Sequence, residues 1–211
     1  MKKMIKISSL LCIAILFNSC ASRYHKIHPE TIQYSSKSIE SSILLEYKYD
    51  LLEKKYKKKE TKNNIRLIAV KITNNSEKEI VFGRDFKLSY ENGNEVSVIQ
   101  TDKLFKTIKQ SPASYLWYLL LLPVQLYSGT TTTSNGYYAT SKPTNSFPIG
   151  LIAGPGFAGA NMIAASSANS NFKNELMQFD FNGKTIKKGE TVYGLIGLNS
   201  NSYDAIRIKV Q

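Results

Sequence analysis

From Ile43 the chain alternates. Ile43, Leu45, Tyr47, Tyr49 and Leu51 fall on one face, with Glu46, Lys48 and Asp50 on the other. A period of two predicts a strand half-buried against a core. Residues 65–73, Ile-Arg-Leu-Ile-Ala-Val-Lys-Ile-Thr, are more continuously apolar and β-branched, which suits a central strand. Asn74-Asn75-Ser76 turns the chain into a short Ile80-Val81-Phe82 run, and Phe86, Leu88 and Tyr90 alternate again. Asn92-Gly93 is a hairpin signal ahead of Val96 and Val98. Thr191 to Leu198 and Ala205 to Val210 predict two more strands, around Asn199-Ser200-Asn201. Six or seven short strands with regular turns predict a mainly β fold, an antiparallel sandwich over 41–211.

The alternation stops between Lys109 and Lys173. Only Lys142 is charged in those 63 residues, where the chain's 21% charged fraction would place about 13. Residues 111–180 are therefore expected to form a charge-poor, largely helical insertion. Tyr115 to Leu122 is one apolar run, preceded by Ser111-Pro112, a helix start with Pro at the first position, and closed by Pro123. About 12 residues of helix reach roughly 18 Å, too short for a 30 Å hydrocarbon core. A polar connector over 128–146, charged only at Lys142, leads to a second helix from about Pro155. Gly156, Ala160, Ala164 and Ala168 recur every four residues along it and form a smooth ridge suited to close packing. Phe172, Leu176 and Phe179 continue as an apolar stripe towards a stop at Asn182-Gly183. Three readings follow: the insertion packs on its own domain, dips into a bilayer or against copies of itself, or docks a membrane-protein partner.

Residues 1–19 carry a different pattern: Lys2, Lys3 and Lys6, then an apolar Ile7 to Phe17, then Asn18-Ser19-Cys20. A cationic start and an apolar run of about 11 residues predict a removable leader rather than a spanning helix. The Ser19-Cys20 junction after that run resembles the lipobox of bacterial lipoproteins, with Phe17 and Asn18 where the family pattern has Leu and a small residue. The resemblance implies cleavage before Cys20 and acylation of Cys20. It also implies an outer-membrane destination, because Ala21 stands where a retention signal would carry Asp. Residues 20–40, polar and rich in Ser, are expected to be the lipidated tether. Cys12 leaves with the leader, so the mature chain is expected to hold no disulfide.

The stretches "IRLIAVKITNNSEKEI", "DFKLSYENGNEV" and "IKKGETVYGLIGL" resemble small secreted bacterial immunoglobulin-like domains. The Lys188-Gly189-Glu190 turn strengthens the likeness. It implies a binding or structural module on a sandwich.

Catalytic chemistry is not expected. The only two histidines, His25 and His28, lie in the tether, so a Ser–His–acid triad inside the domain is excluded. They could supply at most half a metal site, and no cofactor or metal is expected. Gly150 to Gly159 is glycine-rich but lacks a phosphate-loop pattern. Asp85 and Glu91 read as turn residues, and Glu175 and Asp180 as solvated. The formal charge is +12, and one basic run, Lys54, Lys55, Lys57, Lys58 and Lys59, is read as a solvated hairpin tip or a contact for an anionic surface. No nucleic-acid motif accompanies that run, so no nucleic-acid partner is expected. The expected role is a lipid-anchored, non-catalytic envelope module with a homo-oligomer or envelope-protein partner. The alternative is a membrane-perturbing, pore-type protein built on the insertion.

Overall fold

The computed structural model describes residues 20–134 and 139–211, with side chains described outside 130–144. The leader expected over 1–19 lies outside the described residues. The fold is mixed, 32% helix and 32% strand, so helices contribute as much as the expected strands do. The chain forms two compact units. Of the described residues, unit 1 holds Cys20, Ala21 and Ser111–Ser166; unit 2 holds Ser22–Gln110 and Ser167–Gln211.

Unit 2 is built on an antiparallel five-stranded sheet: β1 (Ser36–Glu40), β2 (Ile43–Lys48), β3 (Ile65–Asn74), β10 (Thr191–Asn199) and β6 (Val98–Ile99), in that order. The expected alternation appears in β2, where Ile43, Leu45 and Tyr47 are buried and the residues between them are half-buried. β3 is buried along most of its length because both its faces are covered. One face meets a core of Ile68, Val70 and Ile72 with Phe86 and Leu88 of β5 (Phe86–Tyr90) and Ile206 and Ile208 of β11 (Ile206–Val210). β5 and β11 pair with each other, and β4 (Ile80–Val81) pairs with β9 (Thr185–Ile186). Thus the last two long strands are not a hairpin: β10 lies in the large sheet and β11 in a second layer. Asn92-Gly93 reverses the chain as expected, with Gly93 at φ +83° and the Val96 N–H returning to the Leu88 carbonyl at 2.9 Å.

The other face of β3 meets helices. Ile65, Leu67 and Ala69 pack with Tyr56 of α1 (Lys54–Lys62), with Leu104 and Ile108 of α2 (Thr101–Ile108), and with Phe172 and Leu176 of α3 (Gly150–Gln178). The lysine run is therefore a helix, not a hairpin tip. Nothing between Lys54 and Lys62 breaks a helix, and Tyr56 and Glu60, four apart, share its buried face. The expected stripe Phe172, Leu176, Phe179 is buried.

Unit 1 holds a 3₁₀ segment (Pro112–Leu121), a hairpin of β7 (Leu126–Ser134) with β8 (Ala139–Phe147), and the N-terminal part of α3. The first apolar run is 3₁₀ rather than α-helical. Tyr115, Tyr118 and Leu121 recur every three residues, the period that puts them on one face of a three-residue turn. That face packs on Ala158, Met162 and Ala165 of α3. The polar connector lies in the β7–β8 hairpin, its Thr and Ser residues suiting extended backbone. No helix among the described residues is long and apolar enough to cross a membrane.

Candidate functional site

Cys20 is exposed, and the chain is fixed immediately after it. The Ala21 N–H donates to Asn161 Oδ1 of α3 at 2.6 Å, within unit 1. The expected tether is packed instead. The Ser22 N–H donates to Gln110 Oε1 at 3.0 Å, and Gln110 Nε2 donates to the Ser22 carbonyl at 2.6 Å. Ile27 is buried in the helix-side core of unit 2. Glu175, read as solvated, is 4% exposed and holds this segment down. Its carboxylate accepts the Tyr24 hydroxyl at 2.6 Å and the Ile27 and His28 N–H groups at 2.9 Å each. Burial, then the bond to Glu175, pushes the Tyr24 hydroxyl far above its ordinary range.

Around this cysteine, unit 1 leaves many large apolar side chains exposed among the described residues. Its described core holds Tyr115, Tyr118, Ala158 and Ala165, with Ala21, Leu121 and Met162 packed against them. Trp117 is 74% exposed, Leu120 68%, Ile152 65% and Ile163 72%, and Leu116 and Leu126 also face outward. Of the 17 large apolar residues exposed among the described residues, 13 lie between Leu116 and Ile163, so the exposure belongs to unit 1 and not to the protein at large.

The small-residue ridge is split by the fold. Gly156, Ala160 and Ala164 are exposed, and Ala168 alone of the four is buried, in unit 2. Within unit 1 the helix buries the opposite stripe, Gly154, Ala158 and Ala165. The close approach is made at a glycine pair the ridge did not include. A Cβ on Gly150 would run into the Leu121 carbonyl oxygen, and one on Gly154 would lie 3.1 Å from the Tyr118 carbonyl oxygen. The spacing Gly150-x-x-x-Gly154 marks a second small pair in the sequence, where Pro155 speaks against one continuous helix; the helix nevertheless runs through Pro155, just past its first turn.

The lysines of α1 are not one uniform patch. Lys54 and Lys58 are exposed, whereas Lys57 pairs with Asp50 and Lys59 Nζ donates to the Lys109 carbonyl. Lys55 is half-buried. Beneath them lies Glu60, fully buried, with Oε1 accepting the Leu67 N–H at 2.8 Å and Oε2 3.4 Å from Lys57 Nζ. Burial raises its carboxyl above the usual carboxylate range. Asp85 and Glu91 serve separate arginines, Arg84 at 3.0 Å and Arg207 at 2.6 Å. Asp180 is exposed and accepts the Asn182 N–H. His25 faces Glu53 at 2.9 Å, and no metal-type cluster of three occurs among the described residues.

Asn169, Gln110, Glu175 and Tyr24 were missed by sequence reasoning. Asn169 Oδ1 accepts the Gln110 N–H at 2.8 Å and the Tyr56 hydroxyl at 3.1 Å, and Asn169 Nδ2 donates to the Gln110 carbonyl at 2.9 Å. This pins together the two points between which residues 111–166 are inserted. The available signal was position: Asn169 lies on the core stripe Ala165, Phe172, Leu176, where a polar side chain needs a buried partner.

Comparison of the chain with family models, with curated proteins and with solved structures returns no match.

Proposed function

We propose that the protein is a lipid-anchored, non-catalytic envelope module, acylated at Cys20 and displaying unit 2 as an immunoglobulin-like interaction domain. The observation that carries this reading is the junction itself. A cationic, apolar leader pattern ends at Ser19-Cys20, and Cys20 is exposed one residue before Ala21, whose N–H is held by Asn161.

The five-stranded sheet facing the β5–β11 pair across one apolar core supports the sandwich reading. Its partner is an envelope protein or a second copy, and an outer-membrane location follows from Ala21 by the lipoprotein rule. Lipid attachment is tested by growing bacteria that express the full chain with labelled palmitate. The wild type takes up label and Cys20→Ala does not; an unlabelled wild type contradicts the proposal.

A second reading is favoured by the exposed face of α3. Gly156, Ala160 and Ala164 would let helices from several copies approach closely, as in a membrane-perturbing oligomer. Release of a trapped dye from vesicles tests it, and intact vesicles at saturating protein contradict it.

A further inference from the structure

We propose that the exposed apolar surface of unit 1 inserts into the interfacial layer of a lipid bilayer, as a membrane contact separate from the acyl chain. The proposal deepens the lipoprotein reading and rests on it for the position of the membrane. The hydrogen bond from Ala21 to Asn161 leaves no flexible spacer. An acyl group on Cys20 starts one residue, about 3.8 Å of backbone, from a residue fixed on unit 1. Unit 1 is then held at the lipid surface.

What unit 1 offers that surface is apolar. Leu116, Trp117 and Leu120 project from the 3₁₀ segment, Leu126 from β7, and Ile152 and Ile163 from α3, all exposed. A protein interface is closed by a polar and charged rim. Across 110–172 the chain supplies one charged residue, Lys142. Hydrocarbon asks for no rim, and the interfacial region accepts Trp and Tyr, here Trp117 and Tyr127. A 3₁₀ segment of ten residues is roughly 20 Å long, so it lies in the interface and does not span it. Since charge does not drive the contact, salt should not release it.

The test uses the chain from residue 20 with Cys20→Ala, which keeps every other described residue and cannot carry the acyl group. It is mixed with vesicles of zwitterionic phosphatidylcholine at low and at molar salt. Trp117 is the only tryptophan, so its emission reports this surface alone. The expected result is sedimentation with vesicles at both salt concentrations. Trp117 emission should move to the blue and be quenched by lipid brominated in its acyl chains. Leu120→Lys and Ile152→Lys should each weaken vesicle binding about tenfold or more, with unchanged circular dichroism. Val210→Lys, an exposed apolar residue of unit 2, should leave binding as it was.

The proposal is overturned if the protein stays in the supernatant. A blue-shifted Trp117 in a dimer or larger species without vesicles also overturns it and assigns the surface to a second copy. So does binding confined to anionic vesicles and lost in salt, which would place the contact on the lysines. Vesicle binding without palmitate uptake in the labelling experiment fails the anchor alone. Palmitate uptake without vesicle binding fails the apolar surface alone.

Discussion

At Glu175 a single carboxylate oxygen pair gathers three donors from a segment nearly 150 residues away in sequence. Substitution by Ala would leave the Tyr24 hydroxyl and the Ile27 and His28 amides without their acceptor. The expected loss is about 3 kcal/mol of unfolding free energy in urea, with residues 22–34 becoming the first site of proteolysis. Glu60 gives a prediction in pH. Its folded-state carboxyl titrates above the unfolded one because burial disfavours the charged form. As pH rises from the ordinary glutamate range, about 4.3, the unfolded chain loses its proton first, so stability falls until the folded carboxyl has also ionised. The difference in urea stability between wild type and Glu60→Gln should therefore shift against the wild type as pH rises through that window. A pH-independent difference would mean that Glu60 ionises normally in the folded state. Neither carboxylate was readable from charge alone. Glu60 hides in a lysine run and Glu175 in a polar stretch of helix, and the clue in both cases is the apolar face on which they sit.

Among the elements, those with a strong period of two were the ones that could be read. β2, β3, β5 and β10 lie where alternation or a β-branched run put them, because a half-buried sheet demands that pattern. The helix-side layer was harder. Short α1 and α2 have only two buried residues each, so their apolar signal is weak and tertiary packing decides their state. The 3₁₀ segment was apolar all round and its period of three was obscured. Its packing against α3 yields a paired prediction on two helical glycines. Gly150→Ala should destabilise by about 1–3 kcal/mol, because its methyl meets the Leu121 carbonyl. Gly156→Ala has open space around it and should stabilise by about 0.5–1 kcal/mol through helix propensity. Thermal unfolding of the two variants reads both signs, and equal effects would contradict the packing described.

For the whole molecule, the charge gap in the sequence marks unit 1 well at its start, Ser111, and less well at its end. The structure returns Ser167–Gln178 to the core of unit 2, since Phe172 and Leu176 carry the apolar stripe of that layer. Because Gln110 and Asn169 are hydrogen-bonded, the cut ends of unit 2 already meet. Replacing 111–166 with a short Gly/Ser linker should leave a monomer that unfolds cooperatively in urea and no longer sediments with vesicles. A chain that fails to fold would mean that unit 2 depends on its insertion.

The central claim is the attachment of lipid at Cys20, and the intact mass of the protein purified from bacterial membranes tests it most directly. The account predicts a chain beginning at Cys20 and heavier than its sequence by the mass of a diacylglycerol and commonly a further acyl group. A chain that begins elsewhere, or begins at Cys20 with no added mass, would contradict it.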